Sequence, residues 1–372
     1  MLIGVPKEIK VHEYRVGLTP ESARELVERG QRVLVEKNAG AGIGADDRDY
    51  RAAGAGIAST PEEIFATAEL IVKVKEPLAG ERARLRPGQA LFTYLHLAPD
   101  PEQVRDLVRS GVIAIAYETV TSPAGDLPLL APMSEVAGRM AVQVAAHYLE
   151  LPSGGRGVLL SGAAGVAPAR IVVLGAGVVG SNAARIAAAM GAEVVMLSRS
   201  AGPLQRMQAE LGPRLRAFVL SPADIDRELR EADAVIGSAM VPGGLAPKLV
   251  TRAMLPAMKK GAVLVDVSID QGGCFETSRP TTHADPVFVV DGILHYCVAN
   301  MPGAVPRTST YALNRATLPF VLELAQRGVV EALRANASLR DGLNVCRGKV
   351  TRKEVAAALG YAYTEAREAL AT

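Results

Sequence analysis

Short apolar runs alternate with amphipathic stretches along most of this chain. Leu2–Val5, Arg32–Val35, Leu70–Val74, Ala90–Thr93 and Ile113–Tyr117 are dominated by aliphatic residues, the pattern of strands buried on both faces of a sheet. Between them, Pro20–Arg29 and Pro101–Gly111 read as helices, each opening at a proline, a favourable first helical position. This alternation predicts a parallel α/β sheet. A longer helix is expected over Ser134–Leu149, where Ala137, Met140, Ala141, Val144 and Ala145 suit a buried connector between domains. The glycine-rich stretch Ser153–Gly165 reads as a flexible connection. Alternation then resumes with strands at Arg170–Leu174, Glu193–Leu197, Ala217–Leu220, Ala234–Ile236, Ala262–Val267 and Val287–Val290, and a helix over Ser181–Met190. A strong helix is expected over Leu318–Leu333, with small helices from there to the end.

One junction is more specific than the pattern around it. Gly175-Ala176-Gly177-Val178-Val179-Gly180 follows the strand Arg170–Leu174 at once and opens a helix. This is Gly-x-Gly-x-x-Gly in the strand–turn–helix–strand setting of a Rossmann dinucleotide site. The first glycine allows the tight turn, the second lets backbone approach a pyrophosphate, and the third lets helix and strand pack closely. The helix N-terminus offers free N–H groups to the phosphates. Such a site usually carries Asp or Glu after the second strand to hold the ribose 2′-hydroxyl of NAD. Here that position reads Ser198-Arg199-Ser200. Arg199 is suited to a 2′-phosphate and both serines can donate to one, so NADP is expected to be accepted beside NAD. The plainer alternative makes Arg199 a solvated loop residue of an NAD site.

With 372 residues the chain is long enough for two domains. The pattern predicts two doubly wound α/β domains. A Rossmann dinucleotide-binding domain over 136–305 is inserted into a discontinuous substrate domain formed by 1–135 and 306–372. The cleft between domains is the default active site. The 41 basic and 39 acidic residues leave a net charge of +2, which gives no electrostatic case for nucleic acid or an anionic membrane. Cys274, Cys297 and Cys346 are scattered without metal-like spacing, so reduced thiols, a cytoplasmic location and no metal site are expected. The start reads as a strand without a signal-peptide layout, and no apolar run reaches membrane-spanning length without charges or helix breakers.

Hydride transfer to a polar carbonyl or imine needs a proton donor and anion clamps. His96 stands just past the strand Ala90–Thr93, a position suited to acid–base work near neutral pH. Lys75 ends the run Ile71–Lys75, and Arg15 lies in Glu13-Tyr14-Arg15-Val16-Gly17; an ammonium and a guanidinium converging on a small anion hold a carboxylate and a carbonyl oxygen. Asp270 follows the run Val263–Val267, at the strand end that faces the ligand crevice in such folds. Taken singly, Arg15, Lys75 and Asp270 read more readily as surface or structural residues, while His96 reads equally either way. His12, His147, His283 and His295 are assigned to structure or solvent. Nothing in the sequence alone brings the four candidates together in space.

Longer motifs carry a resemblance over nearly the whole chain. Ile3-Gly4-Val5-Pro6-Lys7-Glu8 with Arg15, Lys73-Val74-Lys75-Glu76-Pro77, Phe92-Thr93-Tyr94-Leu95-His96-Leu97, Ala116-Tyr117-Glu118-Thr119, Met133–Arg139, Val267–Cys274 and Val298–Pro306 resemble alanine dehydrogenases, in the family shared with the nucleotide-binding subunit of proton-translocating transhydrogenase. The resemblance implies that Arg15 and Lys75 bind pyruvate or alanine, that His96 is the acid–base residue, and that Asp270 helps activate water or ammonia. It places Ser134, Asn300 and Met301 near the nicotinamide, with Gly175, Gly177, Val178, Val179, Gly180, Ser198, Arg199 and Ser200 along the rest of the dinucleotide. It also implies a homohexamer. The chain departs from the family at Ser198, usually Asp, and near Pro203, usually basic. Alternative functions are a dehydrogenase of another small amino or cyclic imino acid, and a transhydrogenase-type nucleotide-binding component. The retained His96 and Asp270 argue against the latter.

Overall fold

A computed structural model describes residues 1–239 and 245–371. In chain order its strands are β1 (Leu2–Val5), β2 (Arg32–Glu36), β3 (Gly56–Ala58), β4 (Leu70–Val72), β5 (Ala90–Thr93), β6 (Ile113–Ala116), β7 (Arg170–Leu174), β8 (Glu193–Ser198), β9 (Leu215–Val219), β10 (Ala234–Gly237), β11 (Val263–Asp266), β12 (Val287–Val290), β13 (Ile293–Tyr296), β14 (Leu343–Cys346) and β15 (Lys349–Val350). The chain divides into two compact units, Met1–Met133 with Gly303–Thr372, and Ser134–Pro302.

In the first unit the sheet order is β15-β14-β6-β5-β4-β1-β2-β3. Strands β1 to β6 are parallel, and β14 joins β6 antiparallel with a register shift between Leu343 and Val345. In the second unit the order is β12-β13-β11-β10-β7-β8-β9, with only β12 antiparallel. Counted within each unit, both sheets follow the doubly wound order 3-2-1-4-5, extended by β6 in the first unit and by β13 in the second, and reverse direction between the first and fourth strands. Strands β4, β5, β6, β10 and β11 are buried at every position, as continuous apolar runs between two helical layers require.

One local device starts four helices. Thr19, Thr60, Asp100 and Ser221 accept a backbone N–H through their side chains, and each is followed by a proline that begins Pro20–Glu28, Pro61–Thr67, Pro101–Ser110 or Pro222–Glu231. The side-chain oxygen satisfies a free N–H of the first turn and the proline presets φ.

Three expectations are corrected. The stretch Ser153–Gly165 is packed and hydrogen-bonded: the Gly157 and Val158 amides donate to Leu149 O, and Ala163 and Val166 exchange hydrogen bonds. A Cβ on Gly155 would fall 2.0 Å from Tyr148 O, so the glycine there serves close approach. The long C-terminal helix starts at Pro306 and runs to Arg327, before Val329–Ala335. Between the small helices that follow lies the hairpin β14–β15, turned by Arg347 and Gly348 at φ 47° and 87°.

Candidate active site

The segments leaving β1, β4, β5 and β6 lie at the carboxyl ends of adjacent parallel strands, beside the point where the strand order reverses. Open α/β sheets bind ligands at such a place. Arg15, Lys75 and His96 all lie on these segments, and each is held by a different carboxylate that sequence reasoning did not single out.

Arg15 is buried and paired with the equally buried Glu13, its Nε and Nη2 donating to the two carboxylate oxygens at 2.7 and 2.6 Å. Burial opposes the guanidinium charge, yet the Glu13 hydrogen bonds and charge outweigh it and raise its pKa. Gly17 brings this loop against β4, since a Cβ there would lie 2.3 Å from Val72 O. From the helix Pro306–Arg327, Asn314 fixes the loop by accepting from Thr19 N at 2.9 Å and donating to Gly17 O at 3.1 Å. This tie, almost three hundred residues long in sequence, had no local signal.

Lys75 is 8% exposed, and Glu76 Oε2 lies 3.9 Å from its Nζ. Its backbone is set by Glu8, whose Oε1 accepts from Val74 N at 2.7 Å and Lys75 N at 3.3 Å. The other Glu8 oxygen takes Lys73 Nζ at 3.1 Å, and that ammonium also donates to Glu81 at 2.7 Å. Lys73 is fully buried; burial disfavours its charge, but the two carboxylates prevail and raise its pKa. Burial raises the Glu8 pKa despite Lys73. Removing Lys73 would strand two buried carboxylates, a loss of about 3–5 kcal/mol.

His96 is exposed, and its backbone is left-handed at φ 49°. Such a conformation costs a non-glycine residue about 1–3 kcal/mol. Glu118, two residues past β6, accepts the Leu95 and His96 amides at 3.2 and 2.7 Å. Gln103 donates to Leu95 O at 2.7 Å, and the Tyr94 ring stacks on the imidazole with centroids 5.9 Å apart. Tyr94 itself anchors its hydroxyl on Leu129 O.

In the second unit the glycine turn matches its expected geometry. Gly175 has φ 114°, and a Cβ on Gly180 would fall 2.0 Å from Gly175 O. Gly177 is the N-cap of the helix Val178–Ala189, and a Cβ added there would meet no atom within 4 Å. The result is a stretch of exposed backbone at a helix N-terminus, bare of side chain, and it fits a pyrophosphate. Ser198 ends β8; Arg199 and Ser200 are exposed, and Arg199 has no ion pair among the described residues. Ser134 lies on the helix Ala131–Tyr148. Asn300 is left-handed at φ 65°, with its carbonyl 3.3 Å from His283 Nε2, and Met301 is buried.

Asp270 belongs to this second unit and is exposed on a single 3-10 turn, Ile269–Gln271. Its loop is tied from inside by buried Asp266, which accepts from Ser268 N, Cys274 N, Phe275 N and Ser278 Oγ. Burial raises the Asp266 pKa against those hydrogen bonds. Lys248 ties the same loop from outside through the carbonyls of Gly272, Gly273 and Phe275. Burial pushes the Cys274 and Cys297 thiols up to about 11 and about 12, which makes them inert rather than nucleophilic.

The family model of the alanine dehydrogenase/PNT N-terminal domain matches residues 4–137, and that of the C-terminal domain matches 141–353. The chain belongs to the alanine dehydrogenase/PNT family. It is 58% identical over 367 residues to an alanine dehydrogenase of Halomonas elongata, covering 98% of this chain and 99% of that one. It is 51% identical over its full length to one of Mycolicibacterium smegmatis. A solved L-alanine dehydrogenase superposes with a TM-score of 0.94 at 47% identity, over 97% of this chain and 99% of that one. A transhydrogenase from Sinorhizobium meliloti, another family member, superposes at 0.82 with 26% identity, over 94% and 100%.

Proposed function

We propose that this chain catalyses the reversible oxidative deamination of L-alanine to pyruvate and ammonia, as a cytoplasmic homohexamer using NAD or NADP. The observation that carries this reading is the grouping of Arg15, Lys75 and His96 at neighbouring strand ends in a chain 58% identical to an alanine dehydrogenase. The three buried free thiols fit a reducing compartment; the homohexamer rests on the family resemblance.

Gly175, Gly177 and Gly180 would hold the pyrophosphate of the dinucleotide, whose nicotinamide would supply the acceptor for the alanine Cα hydride. Arg15 and Lys75 hold the substrate carboxylate and the developing carbonyl oxygen. His96 takes a proton from water as its oxygen adds to the iminium carbon; Asp270 keeps the role that the family resemblance gives it, helping to activate water or ammonia. His96 returns that proton to nitrogen and takes the hydroxyl proton as the C–N bond breaks, so that the carbinolamine collapses to pyruvate and ammonia. Ser134, Asn300 and Met301 line the nicotinamide end.

Ser198, Arg199 and Ser200 extend cofactor use to NADP. Ser198 puts no negative charge beside a 2′-phosphate, and Arg199 is free to pair with one. Initial rates with pyruvate and ammonium, comparing NADH and NADPH, test both readings. Activity with both nucleotides is expected, with Ser198→Asp restoring NADH selectivity and Arg199→Ala weakening NADPH by roughly 10- to 150-fold at low salt. A parent enzyme inactive with either nucleotide overturns the reaction. One active with NADH alone overturns the phosphate reading.

A further inference from the structure

The His96 backbone is bent into a conformation histidine does not favour, and one side chain accepts the hydrogen bonds that sustain it. Glu118 Oε1 receives His96 N at 2.7 Å, and Leu95 N is shared between the two carboxylate oxygens at 3.2 Å each. The carboxylate sits just beyond β6, the sheet neighbour of β5 from which His96 emerges. These amides flank Leu95, so the carboxylate fixes the peptide that leads into His96, whose φ is 49°. The opposite face of the turn is closed by Gln103 on Leu95 O, whose own helix is capped by Asp100. With that peptide held, relaxing φ to an extended value would swing the imidazole off the face of Tyr94, on which it stacks within 11° of parallel.

We propose that Glu118 is a positioning residue: it holds the peptide that leads into the left-handed His96 and thereby aims the imidazole at the substrate. This rests on the acid–base role assigned to His96. Glu118 acts through the direction of the ring and leaves substrate and dinucleotide binding to other residues. A misplacement of about 1 Å in a reacting group costs up to about a hundredfold in rate, so the defect belongs in kcat and not in KM.

The test uses the full-length enzyme with pyruvate, ammonium and NADH. Glu118→Ala is expected to lower kcat roughly ten- to a hundredfold with the pyruvate KM within about twofold of the parent. Glu118→Gln keeps one carbonyl oxygen, which the His96 amide takes at 2.7 Å and the Leu95 amide reaches at 3.2 Å, and should recover kcat to within about threefold. In a His96→Ala background, Glu118→Ala should cost nothing further. Should Glu118→Ala not fold, Glu118→Asp, which draws the oxygens back by one methylene, reads the same kcat loss at unchanged KM. Parental kcat in folded Glu118→Ala or Glu118→Asp overturns the proposal, as does a Glu118→Gln enzyme as slow as Glu118→Ala, which would make charge and not direction the cause. Near-parental turnover by His96→Ala alone instead overturns the role of His96.

Discussion

Alanine at Gly177 and alanine at Gly180 should fail in different ways, because the two glycines face different neighbours. At Gly180 the new methyl falls 2.0 Å from Gly175 O and 2.7 Å from Ser238 Oγ, where ordinary contact begins near 3.4 Å. The first obstacle is backbone, so the helix Val178–Ala189 must withdraw by more than an ångström. Overpacking of this kind costs about 1–3 kcal/mol, and Tm falls by roughly 2–4 °C per kcal/mol for a domain of this size. At Gly177 the methyl meets nothing within 4 Å, and φ is −76°. Alanine is the poorer N-cap by up to about 1 kcal/mol, but it removes about 0.4–1 kcal/mol of unfolded-state entropy, so stability barely changes. That methyl stands instead where the pyrophosphate approaches. The same 1–3 kcal/mol then falls on the complex alone, a roughly 5- to 150-fold loss of affinity. Calorimetric melting and titration of NADH fluorescence read the two effects separately. Gly180→Ala should lose both Tm and affinity, Gly177→Ala affinity only. A Gly177→Ala protein that binds NADH like the parent would refute the placement of the pyrophosphate.

Lys75→Ala should raise the pyruvate KM or lower kcat by roughly 10- to 150-fold while NADH affinity holds; steady-state kinetics unchanged in both parameters would remove Lys75 from the site. Arg15→Ala should show the same kinetic loss and also melt earlier, since the buried Glu13 carboxylate loses its guanidinium at a cost of about 3–5 kcal/mol. Parental stability would mean Glu13 finds another partner. His295 is buried between Thr277 Oγ1 and Ile293 O, and burial pushes its pKa below the ordinary 6.5. The unfolded chain therefore takes up this proton first as pH falls below 6.5, and the folded parent loses stability from there down to the folded-state pKa. His295→Gln should lack that loss, so denaturant midpoints of parent and variant should converge from about pH 7 to about pH 5; a constant difference would sink the assignment.

The parts of the fold legible in the sequence were those with local causes. Strands β1, β5, β7 and β12 run over the residues their apolar patterns predict. Strand β3 is only Gly56–Ala58, too short to show a period. The hairpin β12–β13 was missed although Asp291-Gly292, at φ 51° and 82°, is a strong two-residue turn signal; the short apolar run after it was indistinguishable from a helix segment. In the site, the reactive types at strand ends could be named, while their holders could not. Glu8, Glu13, Glu118 and Asp266 act through backbone amides or a buried partner, and which amide faces which carboxylate is decided by neighbouring strands far apart in sequence. Lys73 did carry a signal, a lysine inside the apolar run Leu70–Val74, since such a charge must be paired to be buried.

The antiparallel addition of β14 to β6 has a consequence for how the chain is made. During synthesis β6 emerges as an apolar edge, Ile113–Ala116, and its covering strand is not translated until Leu343. At about 5–20 residues per second the ribosome leaves that edge bare for roughly ten to fifty seconds, while the whole of Ser134–Pro302 is free to fold. An uncovered strand edge is a template for pairing between chains. Crowded polysomes, rather than the finished protein, are therefore where this fold is most open to aggregation.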